Sequence, residues 1–517
     1  MGGSTPAPSG GSAPGPTGGA ALVAGSGGTG GSGGAIGGTS SGGSLPGGGS
    51  GGEAAGSGGA IGGATGGTAP GGASPGGADG DPNTGPVTVK LDALKQKMEA
   101  FGINNNWAPA MTDADADAMF DVSKGLGISA LRIGMKSDGG PFNGTACWDD
   151  IKKASARGVK IFIGTLWTPP AGYKTNNSEN DGGHLKSESY EQWATTIAAF
   201  PAKVKAGAGV DLYGMSPQNE VDFASCGRSE PCNGNYPTTL YTGAELAAFV
   251  KVVGPKLKAL TPPVKVIAPE ASEWLHTWSN ESACCSVPSG LPSSNPLMGK
   301  GYDYGHELAK DPAIWELVDI MGVHQYDTQV AELWPADVPV KKPVWQTEMS
   351  GVKWWPESGP STDINNAVAV AGWIHNAITV GEASAWFWWW WKAQGDTNEG
   401  LLLANGTDTK RRYAFGNFSR FIRPGYQRVE IRGAVPATVE MTAYKADDGT
   451  VAVVAINKGD AAASFVINVS GGTAPATLTP WVTSATDNLA SKSAVTVTNG
   501  AFTAELGAKT VTTFVGK

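Results

Sequence analysis

The chain is poor in charge, in cysteine and in long apolar runs, and residues 1–86 lack lysine and arginine altogether. This leading stretch holds 36 of the 77 glycines and only Glu53, Asp79 and Asp81 as charges. Gly/Ser/Ala/Thr/Pro sequence of this kind buries too little apolar area to offset the entropy of ordering it, so residues 1–86 are expected to be a disordered linker. As a flexible coil it would reach about 50 Å end to end. GGSGG at 30–34 fits the serine-hydrolase spacing G-x-S-x-G but has no strand before it and no helix after it, so it carries no chemistry.

The other 431 residues carry 37 basic and 43 acidic side chains, a net charge of −6. No basic stripe is present, which argues against a nucleic-acid partner. No run of 18 or more apolar residues exists, so no transmembrane segment is expected. Only five histidines occur; HELAK at 306–310 lacks the second histidine of a zincin, and no C-x-x-C is present. Neither a metal nor a cofactor is therefore expected. Of Cys147, Cys226, Cys232, Cys284 and Cys285, the pair Cys226 and Cys232 is close enough to staple one loop, which fits an oxidising compartment. The odd count leaves at least one thiol free or intermolecular. Met1 is followed directly by Gly2 and Gly3, so no signal peptide is visible. The tether nonetheless suits an extracellular or surface-anchored protein, expected to be a monomer.

What is abundant is tryptophan, 18 residues, the first being Trp107. From residue 101 onward short apolar runs alternate with longer helical stretches. Strands are expected at 101–103, 130–134, 160–165, 211–216, 264–268, 319–323, 343–347 and 383–388. Helices are expected near 188–206, 242–260 and 364–380, with a further one opening at Thr112, where Asp115 completes a capping box. Eight strands with helical crossovers imply an α/β fold, a parallel (β/α)8 TIM barrel over 101–423. After Pro424 the period changes to two, in VEMTAYKA, TVAVVAIN, ASFVINVS, AVTVTN, FTAELG and TVTTFVG. This predicts an antiparallel β-sandwich side domain over 424–517, which the strand within 87–100 is expected to join.

In such a barrel the residues just past the carboxyl ends of the strands face the active site. Strand four ends MSPQNEVDF, with Asn219 and Glu220 at its tip; strand seven ends VWQTEMSG, with Glu348 at its tip. Strand six offers His324 and Tyr326, strand three runs into LWTPPAGYKTNN, and strand eight is AWFWWWWK. Two carboxyls on distant strands suit glycosidic bond cleavage, where one protonates the leaving oxygen and the other, ionised, attacks the anomeric carbon. Aromatic faces complement the C–H faces of sugars. About half of the FWWWW rings should instead pack barrel against helix, because successive strand residues face opposite ways. Trp274, Trp278, Trp354 and Trp355 fit core and groove equally.

Across these residues the sequence resembles glycoside hydrolase family 30, in its bacterial xylanase (glucuronoxylanase) branch. The resemblance rests on FGINNNW at 101–107, LGISALRIGM at 126–135, LWTPPAGYKTNNS at 166–178, MSPQNEVDF at 215–223, GVHQYD at 322–327, WQTEMSG at 345–351 and RRYAFGNFSRFIRPG at 411–425. It implies a barrel with an attached sandwich and retaining chemistry, with Glu220 as acid/base and Glu348 as nucleophile. It also implies that Arg132 lies near the nucleophile and that Trp107, Trp167, Tyr326 and one of Trp388 or Trp389 line the sugar subsites. In the glucuronoxylan-specific branch, strand eight leads into arginines that grip a glucuronate carboxylate. Here Lys392 and then QGDTNEG follow, and lysine supplies charge but not a bidentate fork.

The sequence therefore predicts a retaining endo-glycosidase acting on a polysaccharide, β-1,4-xylan first, without strict dependence on glucuronate. Two alternatives remain: a relative cutting β-1,6-linked galactan or glucan, and a tethered carbohydrate-binding protein without catalysis.

Overall fold

The computed structural model describes residues 84–517, apart from 181, 224–235, 280–302, 327–329, 331–333, 339, 352–359 and 396. The glycine-rich stretch up to 83, four of the cysteines (Cys226, Cys232, Cys284, Cys285), Trp354 and Trp355 lie outside the described residues, and so do the expectations placed on them.

After strand β1 (Thr88–Lys97) come eight parallel strands: β2 (Ala100–Asn104), β3 (Ala130–Met135), β4 (Ile161–Leu166), β5 (Gly214–Ser216), β6 (Lys265–Ala271), β7 (Ile320–His324), β8 (Val344–Glu348) and β9 (Ala383–Lys392). Each pairs with the next, and β9 pairs with both β8 and β2, so the sheet closes into a barrel. A short tenth strand, β10 (Gly400–Leu402), runs parallel to the end of β9. Helices α1 (Asp113–Phe120), α2 (Thr145–Ala156), α3 (Tyr190–Ala208), α4 (Gly243–Lys258), α5 (Tyr304–Ala309), α6 (Pro312–Leu317), α7 (Ile364–Thr379) and α8 (Lys410–Ser419) fall in the crossovers and after β10. The Thr112–Asp115 capping box opens α1, and Thr242 with Glu245 forms a second one at α4.

Two faces of the barrel strands separate the core. Ala100, Ala130, Ile163, Ile267, Ile320, Trp345, Ala385 and Phe387 fill the interior. Trp345 is the plug, stacked on Tyr213 at 5.6 Å between ring centroids. Gly102 belongs to this layer because a Cβ there would lie 2.1 Å from the Phe387 ring. The outward residues of the same strands pack under the helices; Ile103, Leu131, Phe162, Met215 and Trp388 are examples.

The sandwich is one wrapped sheet, formed by β1 with β11 (Gln427–Arg432), β12 (Val439–Lys445), β13 (Val451–Asn457), β14 (Ala463–Ser470), β15 (Thr477–Thr483), β16 (Ala490–Ser491), β17 (Val495–Thr496), β18 (Ala501–Leu506) and β19 (Thr510–Gly516). Its pairing is antiparallel except where β1 lies parallel to β14. Three strands, β11, β15 and the two-residue β16, are absent from the sequence reading. Strand β15 carries Pro480, which lacks an amide donor, and is flanked on one side by only the two-residue β16 and β17. The AVTVTN run yields only β17.

Strand β13 explains how the sandwich seats on the barrel. Val451, Val453 and Ala455 point into the sandwich core, whereas Val454 and Ile456 join the barrel cluster. A strand buried on both faces reads as a continuous apolar run, as VAVVAI does. The polar pin of this interface is Asn417 on α8. Its Nδ2 donates to the Trp481 carbonyl at 2.9 Å and to Thr513 Oγ1 at 3.1 Å, while Thr483 Oγ1 donates to its Oδ1 at 2.7 Å. Among the described residues no helix is long and apolar enough to cross a membrane.

Candidate active site

Arg132, on β3, is the hub of the carboxyl-terminal mouth of the barrel and is fully buried. Its Nη1 donates to Glu348 Oε2 at 2.6 Å; its Nη2 donates to Asn219 Oδ1 at 2.6 Å and to Glu270 Oε2 at 2.9 Å. The other oxygen of Glu348 accepts from the Tyr326 hydroxyl at 2.9 Å. Both lone-pair edges of Glu348 are thus fixed, by groups from β3 and from the loop after β7. His324 bridges the remaining acids, with Nδ1 3.2 Å from Glu220 Oε1 and Nε2 3.3 Å from Glu270 Oε2. Ligand atoms of Glu220, His324 and Glu348 all lie within 4.8 Å of one another.

Three residues at this mouth adopt left-handed backbone: Trp107 at φ 57°, Glu220 at φ 44° and Glu270 at φ 63°. Such conformations cost energy in a non-glycine residue and persist where the surroundings impose them, typically at functional sites. Here the Gln218 amide donates to the Trp167 carbonyl at 2.7 Å and Asn219 N donates to the Leu166 carbonyl at 2.7 Å, clamping the segment that carries Glu220. Gly322 on β7 makes room for Glu270, since a Cβ there would lie 2.3 Å from Glu270 Oε1.

The carboxyls sit in unlike electrostatic surroundings. Burial pushes Glu220 up to about 7; the bond from His324 opposes this, and the charges of Glu348 and Asp222 add to it. For Glu270, burial is outweighed by the adjoining guanidinium of Arg132 and by His324, and its carboxyl is held below the usual range. For His324, burial opposes the charge, but Glu348, Glu220 and Glu270 together raise it to about 10. An imidazole held protonated offers no lone pair, and Arg132 already neutralises two of the carboxylates. The cluster has the spacing of a metal site, with Arg132 engaging Glu348 Oε2 and His324 engaging Glu220 and Glu270.

Above the carboxyls stands an aromatic wall. Trp107 packs against Trp167 at 4.9 Å, Phe142 at 4.4 Å and Trp389 at 6.0 Å between centroids. Trp167 also donates from Nε1 to the Tyr236 hydroxyl at 2.9 Å. Two deep carboxyls lie under a rim of indoles, Glu220 raised by burial and Glu348 held by Arg132 and Tyr326, and together they form a site able to protonate one oxygen and attack one carbon.

A family model described as O-Glycosyl hydrolase family 30 matches residues 143–291, and the family 30 beta sandwich domain matches residues 425–514. Glucuronoxylanase XynC of Bacillus subtilis (strain 168) is 29% identical over 445 residues, covering 83% of this chain and 91% of that protein. Both the barrel segment and the sandwich of the chain are thus similar to glycoside hydrolase family 30. Solved structures of the family agree with it in fold. The subfamily 8 xylanase of Clostridium acetobutylicum superposes with a TM-score of 0.66 at 28% identity, covering 84% of this chain and 99% of that one. The endoxylanase of Clostridium papyrosolvens gives 0.64 at 27%, covering 84% and 100%.

Within this site the residues singled out by sequence divide into three groups. Glu220, Glu348, Asn219, Arg132, His324 and Tyr326 form one connected network, and Trp107, Trp167 and Trp389 form the wall over it. Trp388 does not join them: it is fully buried in the outer core, 6.1 Å from Trp386, with Nε1 donating to the Glu399 carbonyl. Alternation along β9 decides between the two indoles: Ala385 and Phe387 face the interior and Trp386 and Trp388 the outer core, so Trp389 falls on the inner side. Trp389 packs against Trp107 and Trp167, and the register shifts beside it, since Ile103 pairs with Trp388 and Asn104 with Trp390. Lys392 also stands apart from the groups touching the glutamates; its ammonium lies 6.0 Å from the centroid of the Trp391 ring. Trp274 is core, and Trp278 packs beside it against Trp334.

Sequence reasoning missed Glu270, although it lies just past the strand read as 264–268, the kind of position that revealed Glu220 and Glu348. It also missed the pair Asp222 and His276, whose Oδ2 and Nδ1 lie 2.5 Å apart, with Asp222 further held by Ser272 N at 2.8 Å. Fifty-four residues separate that pair, and no local pattern links them.

Proposed function

We propose that this chain is an endo-acting, retaining glycosidase of family 30 that cleaves β-1,4-xylan by double displacement. The observation that carries the reading is the pair Glu220 and Glu348, with carboxyl oxygens within 4.8 Å, Glu348 held by Arg132 and Tyr326 and Glu220 raised by burial. Retaining enzymes hold their two carboxyl groups about 5–5.5 Å apart, whereas inverting enzymes leave room for a water between them. In the first step an oxygen of Glu348 bonds to the anomeric carbon as the glycosidic C–O bond breaks, and the proton of Glu220 passes to the leaving oxygen. In the second, Glu220 takes a proton from water, whose oxygen displaces Glu348. Tyr326 and Arg132 orient the nucleophile before attack, the kind of positioning that lowers a barrier without chemistry of its own. Arg132 occupies Asn219 Oδ1, which leaves the Asn219 amide as a donor for the sugar 2-hydroxyl. The wall of Trp107, Trp167 and Trp389 receives the ring faces.

Independence of glucuronate is supported by Glu399, in the segment where an arginine would grip that acid. Burial raises its carboxyl, the bond from Thr397 Oγ1 at 2.9 Å opposes this, and the charge of Glu348 raises it further. An acid lying within the field of the nucleophile makes this mouth a poor seat for an anionic side group. A polymeric glycan does not cross a membrane, so the reading places the enzyme outside the cell.

The test is product analysis on glucuronoxylan beside unsubstituted xylan, with Glu348→Gln as the blank. The reading expects both polymers to be cut to products of retained configuration and the variant to be folded and inactive. Turnover by Glu348→Gln would overturn the assignment, and cleavage of glucuronoxylan alone would overturn the independence.

A further inference from the structure

A cleft of about 520 Å³ lies between α7 and the sandwich, and it shares no lining residue with the active site. That volume falls within the ~300–1,000 Å³ of sites that bury a small ligand. Its wall combines the half-buried indole of Trp373 with Asn365 and His375 from α7, and with Glu440, Lys458 and Lys509 from the sandwich. Two buried polar atoms there lack a hydrogen-bond partner, His375 Nδ1 and Glu440 Oε2. Buried polar groups are nearly always satisfied, and an unmet pair facing one cavity points to a ligand that supplies hydroxyl groups.

Charge narrows the ligand further. Lys458 pairs with the other oxygen of Glu440, and Lys509 lies 3.3 Å from Asp460. Burial holds His375 neutral, down at about 4, with Glu440 acting against the shift and Lys458 and Arg428 with it. No lining charge is left over to hold an anion, and a free cation would compete with a lysine already in place. A neutral sugar fits each feature. Its hydroxyls donate to Glu440 Oε2 and either donate to or accept from His375 Nδ1, and its C–H face covers an indole. Gly372, on the inner turn of α7, keeps the floor open; a Cβ there would meet only Glu440 Oε2, at 3.5 Å. Glycine is otherwise unfavourable inside a helix.

We propose that this cleft is a second saccharide-binding site, taking one or two neutral pyranose units of a glycan chain on Trp373, His375 and Glu440. It goes beyond the proposed hydrolysis and rests on that reading only for the choice of probe. The test is calorimetric titration of the full chain carrying Glu348→Gln with xylohexaose and, separately, with a β-1,6-linked glucohexaose. Gly372→Phe plugs the cleft, and Gly372→Ala controls for the helix. The expected result is two bound hexasaccharides per chain for Glu348→Gln, still two with Gly372→Ala, and one with Gly372→Phe. The plugged chain with Glu348 intact should hydrolyse xylohexaose at the unmodified rate. An unchanged stoichiometry in Gly372→Phe, or no binding of either sugar, would overturn the proposal. A single site that Gly372→Phe abolishes would support the cleft while counting against xylan as the substrate of the active site.

Discussion

The proton on Glu220 should set the upper pH limit of turnover. Its carboxyl is moved from the ordinary 4.5 to about 7, with burial as the main cause and the charge of Glu348 a further one. A general acid works only while protonated, and kcat/KM reports the free enzyme, which is the state described here. Above pH 7 the protonated fraction falls tenfold per pH unit, so kcat/KM on xylohexaose at pH 9 should lie about a hundredfold below its plateau. A carboxyl whose folded pKa is raised favours the folded state below its unfolded pKa, and that contribution is lost as pH rises through the folded value. Stability should therefore decline from about pH 5 to pH 8, by an upper bound of roughly 3 kcal/mol from this group, and Glu220→Gln should remove that part of the decline.

Measuring kcat/KM from pH 4 to pH 10 on xylohexaose, beside an aryl xylobioside whose phenolate leaves without assistance, isolates the acid. The hexasaccharide should show the basic limb, and the activated substrate should not show it in the first step. Asp222→Asn removes a negative charge that raises Glu220, so it should move the limb to lower pH. A limb that persists in Glu220→Gln, or a midpoint above pH 9 in the unmodified enzyme, would refute the assignment of Glu220.

Three further outcomes are expected. Tyr326→Phe removes the donor to Glu348 Oε1; a hydrogen bond to a charged group is worth about 1.5–3 kcal/mol, so kcat/KM should fall roughly 10- to 150-fold with the melting temperature nearly unchanged. Glu399→Gln removes the acid near the mouth and should raise the ratio of glucuronoxylan to unsubstituted-xylan activity, measured as initial rates on the two polymers. Asn417→Ala leaves the Trp481 carbonyl and the Thr483 hydroxyl without their buried partner, and should lower stability by about 2–4 kcal/mol, read by thermal unfolding, while the activity of the folded fraction stays intact.

The barrel was legible because its strands are short apolar runs punctuated by helical stretches, and Glu220 and Glu348 were legible because strand ends have a fixed meaning in that fold. The choice between Trp388 and Trp389 was not made, because a run of identical side chains does not show which face is the inner one; Phe387 in the barrel interior fixes the alternation and turns Trp389 inward. Glu270 was within reach: the run KVIAPEA continues to Ala271, but Pro269 makes the strand seem to stop at 268. The left-handed backbone at Glu220 and Glu270 has no signature at all, since neither is glycine. Lys392 was placed by its neighbours in sequence, and the pairing of Lys392 with Leu402 of β10 accounts for its position at the rim.

Glu270 and His324 acquire a reason when the charges of the site are followed through the proposed reaction. With Glu220 protonated, the ions in direct contact are Glu270 and Glu348 against Arg132 and His324, two of each sign. Attack by Glu348 turns that carboxylate into an ester just as Glu220 gives up its proton, so the negative charge moves from one glutamate to the other and the total stays the same. Low-dielectric surroundings make any net change of charge costly, and this arrangement avoids one. The receiving side is prepared: His324 Nδ1 already lies 3.2 Å from Glu220 Oε1, and Glu270 holds the imidazole protonated from its other edge. The same transfer removes the charge of Glu348, one of the causes that raise Glu220. Its proton affinity therefore drops once the ester has formed, and the group that entered the cycle as an acid becomes the base that the second step requires.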